Sequence, residues 1–223
     1  MNNFTHLQKY ISNLKTKLIN AYGAFTVYST LENLSNSETD KNASKNKEIS
    51  TELLNNFFIP VENSLYSHSL IELAKLFDHA KKSIHIEKLI NFAKSKPIRA
   101  SDFKNYNQDR DFIEELLKEW EGINSTDIEE IQSLLKDNSI QIKKLITYRN
   151  KLLAHNNKKE PQLELSNSEI KTLFEIVDKI LNIFSYKTNF SKTIFEWTLE
   201  PTIEQTEYVM KILRSHFEIL RNN

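Results

Sequence analysis

Glycine and proline are almost missing from this chain. Average usage would supply roughly 16 and 11, whereas the 223 residues hold 2 Gly and 4 Pro. Few positions are therefore available for tight turns or left-handed backbone, which favours helices. The same scarcity excludes the Gly-rich phosphate loops of P-loop and dinucleotide-binding proteins, because no stretch carries the closely spaced glycines such a cradle needs. Cysteine is absent, so there is no disulfide framework and no thiolate zinc or redox site, which fits a reducing compartment. No apolar run approaches the roughly 20 residues of a membrane-spanning helix. The opening MNNFTHLQKYISNLK lacks the basic-then-apolar order of a secretory leader. A cytoplasmic protein with no membrane contact is expected.

Net charge is also lacking, with 30 basic against 30 acidic residues, which argues against coating nucleic acid by bulk electrostatics. Locally the charge is uneven. Residues 138–159 hold Lys143, Lys144, Arg149, Lys151, Lys158 and Lys159 with no carboxylate, a window of +6. Residues 109–130 hold nine carboxylates against Arg110 and Lys118, a window of −7. Two solvated helix faces that attract each other explain such an asymmetry. A basic patch facing a polyanion is the other reading, kept because the basic window coincides with the segment Arg149 to His155.

Apolar periodicity supplies the fold. A first helix is expected from about Asn3 to Asn33, with Phe4, Ile11, Leu18 and Phe25 on one heptad row and Leu7, Leu14, Ala21 and Tyr28 on the other. That seam wants a partner, internal or in a second subunit. Residues 35–48 are polar and low in complexity and are expected to form a mobile loop. A second long helix follows, kinked or restarted at Pro60, and shorter helices are expected at 84–95, 108–121 and 126–136. Thr126 and Glu129 pair as a capping box for the last of these. The next helix runs from about Ser139 to His155 and is stopped by Asn156, Asn157 and Pro161. Ser166 and Glu169 cap a strongly periodic helix with Ile170, Leu173, Phe174, Val177, Ile180, Leu181 and Phe184 inward. An irregular or strand-like piece from Thr193 to Leu199 leads to a last helix from Thr202 to about Leu220. Together these predict an all-α bundle of about seven or eight helices, two of them long and antiparallel, forming a single domain over residues 1–223.

The chemistry concentrates in RNKLLAH, Arg149 to His155. Arg149 falls among Ile142, Leu145, Ile146, Leu152 and Leu153, at the centre of an apolar stripe. A guanidinium there is costly unless it is paired or lies where a charge will arrive. A structural ion pair and a functional cation both satisfy that condition. His155 lies six residues on, which an ideal helix places about 9 Å further along and about 120° around. The two side chains converge on one phosphate only if the helix frays at Asn156 or a symmetric subunit brings a second copy alongside. Such a pair suits RNA cleavage without a metal. His155 takes the proton of a ribose 2′-hydroxyl or returns one to the leaving oxygen, Arg149 stabilises charge on the phosphate, and Asn150 adds a neutral hydrogen bond.

YRNKLLAHNN, together with SHSLIELAKLFDHAKKSIHIEKLI earlier in the chain, resembles the abortive-infection, AbiU-like branch of the HEPN superfamily. That superfamily carries Arg and His separated by four to six residues on a helix of an all-α bundle; here five intervene. The resemblance implies a homodimeric, metal-independent endoribonuclease of bacterial defence or toxin type, with Arg149, Asn150 and His155 catalytic, RNA as its partner and no cofactor. Lys143, Lys144, Lys151, Lys158, Lys159 and Tyr148 are then the RNA-facing residues, although Tyr148 also reads as core. An antitoxin or regulatory protein is a further partner the resemblance implies. One subset, neutralised by a nucleotidyltransferase antitoxin, carries Tyr two residues after the His; Asn157 stands there in this chain, against that mode of control.

Two other readings stay open: a silent module that binds RNA or protein, and a helical scaffold in which Arg149 pairs with a core carboxylate. No metal site is expected. His68 and His79, three helical turns apart, are too distant to share an ion and are read as surface or capping residues. His85 and His216 have no ligand at suitable spacing, and Glu114, Glu115 and Glu119 make a solvated face.

Overall fold

In the computed structural model the apolar seam of the first helix, α1 (Asn3–Asn36), is covered from within the chain. Phe4, Leu7, Ile11, Leu14, Leu18, Ala21 and Phe25 are buried on it, so the partner left open by the heptad rows is internal. The structure describes residues 3–79, 83–105, 115, 117, 118, 120–153, 165–217 and 219. Within them α1 is followed by α2 (Ala43–Glu48), a π-helical turn (Ile49–Leu53), α3 (Asn55–Phe77) and α4 (Ile86–Ser95). A 3-10 turn (Ala100–Asn105) precedes α5 (Ser125–Asp137), α6 (Ser139–Leu153), α7 (Asn167–Asn189) and α8 (Phe195–Ser215). The described residues contain no strand, and the chain is the all-α helical bundle that the periodicity predicts.

Two compact units divide it. One comprises Met1–Leu18 and Leu73–Thr193, the other Ile19–Glu72 and Ile194–Asn223, so the division falls inside α1 and α3. In the first unit α5, α6 and α7 pack on one another. The seven inward positions expected on α7 are all buried, each stabilising the fold by roughly 1.5–3 kcal/mol. The Ser166–Glu169 capping box starts that helix as expected, with hydrogen bonds in both directions. At its other end Phe190 adopts the left-handed conformation, φ 52°, a strained position for a bulky residue. Its ring packs 5.5 Å from that of Phe103, and its N–H bonds Tyr186 O. Phe103 also meets Phe4 and Trp120, and the Trp120 indole donates to Lys187 O at 2.9 Å. Gln8 and Lys15 tie α1 to Asn189 and Thr193 in the same unit, at 2.7 and 2.8 Å.

The second unit has its own core of Leu31, Ile49, Phe58, Met210 and Phe217. Here α1 and α3 run antiparallel: the rings of Tyr28 and Tyr66 lie 4.7 Å apart, while Glu32, one turn later on α1, acts on Glu62, one turn earlier on α3. Residues 35–48, expected as a loop, instead contain α2. The reason is Asn46, fully buried, whose amide donates to Leu34 O at 2.7 Å and accepts from Arg214 Nη1 at 2.8 Å. A polar residue there satisfies a carbonyl at the end of α1, where no intrahelical partner remains.

Three local expectations are corrected. The break expected at Pro60 falls at Leu54, after the π-helical turn, and α3 runs through Pro60 near its start, forgoing the bond to Asn56 O. The capping box of α5 is Asn124 with Asp127, not Thr126 with Glu129; the spacing is the same two residues earlier, and Asn is the stronger cap. The piece from 193 to 199 is not strand-like, because α8 begins at Phe195. Phe195 and Leu199, four apart, are both buried, which is helical spacing. Of the helix expected at 108–121, residues 108–114, 116 and 119 lie outside the described residues.

Candidate functional site

Helix α6 follows α5 with Asn138 alone between them. Leu145, Tyr148 and Arg149 lie at i, i+3 and i+4 on its inner face, and all three are buried. Arg149 is 8% exposed, so its guanidinium requires partners. It finds them in two places. Nη1 donates to Asp78 Oδ2 at 2.6 Å, while Nε and Nη2 both donate to Asn150 Oδ1, at 3.1 and 2.7 Å. Asn150 thus grips one edge of the guanidinium from the adjacent position and fixes the plane in which the charge is presented.

Asp78 is the first residue after α3. Its side chain is 22% exposed, and the hydrogen bond from Arg149, opposed by burial, holds its carboxyl below the ordinary 3.8. The other carboxylate oxygen accepts the backbone N–H of His79 at 2.8 Å. His79 pairs through Nδ1 with Glu87 Oε2 on the first turn of α4. The ring of His85 stands edge-on, 6.2 Å from that of His79. His85 is 3% exposed and caps α4, its Nδ1 accepting the Lys88 N–H at 3.4 Å. Burial, and then the charge of Lys88, push its pKa down from 6.5. That keeps the ring neutral and able to cap.

The residues singled out by sequence fall in three groups. Arg149 and Asn150 are brought together, and Tyr148 lies buried beside them, packed rather than displayed for stacking. Lys143 and Lys151 are exposed and Lys144 is half-buried on the same helix. His155, Lys158 and Lys159 lie outside the described residues, as does most of the segment that stops α6. The carboxylate that meets Arg149 does not come from the acidic window. Among the described residues of that window, Glu130 meets Lys179 at 2.9 Å and Asp127 meets Lys187 at 3.4 Å, both on α7.

Asp78, His79, His85 and Glu87 are the residues that sequence reasoning missed as a group. His79 is not on the helix that carries His68, since α3 ends at Phe77. Periodicity stops being informative at such a break. Among the described residues no three His, Asp or Glu side chains gather so as to hold a metal ion. None of the described helices is long and apolar enough to cross a membrane.

Arg149, with Asn150 directly after it, lies near the end of a helix in an all-α unit, as the resemblance to the HEPN class implies. The chain belongs to its AbiU2 family, whose sequence model matches residues 4–195. Comparisons with curated proteins and with solved structures give no match.

Proposed function

We propose that this protein is a metal-independent endoribonuclease of the abortive-infection type. The carrying observation is Arg149: a buried guanidinium near a helix end, held edge-on by Asn150, in a chain of the AbiU2 family. In this reading the ribose 2′-hydroxyl attacks the adjacent phosphorus and leaves a 2′,3′-cyclic phosphate and a 5′-hydroxyl. Arg149 stabilises the charge that builds on the phosphate oxygens, and His155 transfers a proton. Lys143, Lys144, Lys151, Lys158 and Lys159 hold the RNA backbone. Two copies of the chain bring two motifs together, the protein acting as a cytoplasmic homodimer under an antitoxin or other regulatory partner.

The test is incubation of the full chain with mixed RNA in EDTA. Cleavage to cyclic-phosphate ends is expected, lost in Arg149→Ala and in His155→Ala while circular dichroism stays unchanged. RNA retained on a filter without cleavage would replace the enzyme by a silent binding module. Light scattering that gives a monomer at micromolar concentration would remove the dimer.

A second reading has its own observation. The 2.6 Å pair of Arg149 with Asp78 is what a helical scaffold with a structural arginine would contain. It predicts that Arg149→Ala lowers the melting temperature sharply with no RNA activity to lose.

A further inference from the structure

Cleavage by 2′-hydroxyl attack needs two proton transfers, one from the attacking oxygen and one to the leaving oxygen. A single histidine serves one of them at a time. The structure places another histidine one carboxylate away from Arg149. Asp78 holds the guanidinium with Oδ2 at 2.6 Å and the backbone N–H of His79 with Oδ1 at 2.8 Å. One side chain therefore ties the phosphate-binding cation to the backbone that carries this ring.

The ring itself is oriented. Its Nδ1 faces Glu87 Oε2, and an ionised carboxylate only accepts hydrogen bonds. The proton of the neutral ring is therefore kept on Nδ1, leaving the lone pair on Nε2. The His79 side chain is 71% exposed, so that nitrogen is open to a ligand. We infer that His79 is the general base of the proposed reaction, with Glu87 as its positioning residue; the inference rests on the ribonuclease reading above. Among the described residues the charged and titratable groups around it are Asp78 on its own segment, His85 at the cap of α4, Glu87 and Lys88 on α4, and Arg149 on α6.

The step balances. The 2′-oxygen forms a bond to phosphorus as its proton passes to His79 Nε2, and the bond from phosphorus to the 5′-oxygen breaks. That oxygen leaves with a proton from the acid, the role this leaves to His155. Exchange with water returns both rings to their starting states, and nothing is oxidised or reduced.

The experiment follows kcat/KM against pH for the full chain in EDTA, on an RNA oligonucleotide and on uridine 3′-(4-nitrophenyl phosphate), whose leaving group needs no acid. In His79→Gln the rate on both substrates falls about 100-fold, and the acid limb of the profile, where the rate rises with pH, flattens. Circular dichroism checks that the variant folds. In Glu87→Gln the 15N spectrum of His79 changes from the Nδ1–H tautomer to a mixture, and the rate falls less. A wild-type profile in His79→Gln overturns the inference, and so does recovery on the nitrophenyl substrate, which would make His79 the acid. Failure of the ribonuclease reading looks different: the wild-type chain then cleaves no RNA, and the inference falls with it.

Discussion

The guanidinium of Arg149 and the carboxylate of Asp78 meet at 2.6 Å across 71 residues of sequence. The contact joins the end of α3 to the last turns of α6, and it sets the electrostatics of the candidate site. Removing either partner leaves the other charge largely out of water and uncompensated, at a cost of about 1–3 kcal/mol. Asp78→Asn and Arg149→Ala are both expected to lower the urea midpoint, and the double variant should cost less than the sum of the two. Additive losses would mean the pair is not coupled.

The same pair makes stability depend on acid. Arg149 holds the Asp78 carboxyl below 3.8 in the folded chain, so its contribution is full above the unfolded value of about 3.9. It is lost as pH falls through the lower folded value. The difference in melting temperature between wild type and Asp78→Asn should be level from pH 7 to pH 5 and shrink below about pH 4. A difference that grows in acid would contradict the assignment.

His85 acts in a higher window. Burial and Lys88 lower its pKa from 6.5, so the unfolded chain takes up a proton at a pH where the folded ring resists it. Its contribution is therefore full above about 6.5 and falls as pH drops toward the lower folded value. His85→Asn keeps a capping side chain and removes the titration. Between pH 7 and pH 5, thermal scans should show the wild type losing more stability than this variant.

Asn46 organises the second unit through its bonds to Leu34 O and Arg214. Asn46→Ala leaves a partly buried carbonyl and a guanidinium short of partners and should cost about 2 kcal/mol. Chemical denaturation measures the loss, and hydrogen exchange over residues 43–48 should rise with it.

For RNA binding, Lys143 and Lys151 are the exposed lysines of α6. Lys143→Gln and Lys151→Gln should each weaken binding alike across sequences and reduce the slope of log affinity against log salt by about 1. Filter binding over a salt series decides this. An unchanged slope would place the phosphate contacts elsewhere.

Elements built on repetition were legible from the residues alone. The stripe from Ile170 to Phe184 and the seam from Phe4 to Phe25 repeat often enough to fix both helix and inward face. Short signals fared worse. The spacing that suggested Thr126 with Glu129 also fits Asn124 with Asp127, and Thr193 to Leu199 holds too few residues to separate two periods. α2 was hidden because its anchoring residue, Asn46, is polar and reads as loop until Arg214 is brought to it. Within the site, the strained placement of Arg149 in an apolar stripe was visible, but its partner was not. Asp78, His79 and Glu87 come together across the break between α3 and α4, where spacing in sequence carries no information about distance.

The Asp78 carboxylate has one more consequence. Arg149 does not wait as a bare cation, because an internal anion already occupies one edge of it. In the proposed reaction a phosphate that reaches Arg149 meets a guanidinium whose charge the carboxylate already shares, so its attraction is partly offset. On that reading a small anion is held weakly, and a longer polyanion gains its hold through further contacts on α6. Asp78 would then favour long polyanions over small ones, as a residue that never needs to touch the ligand.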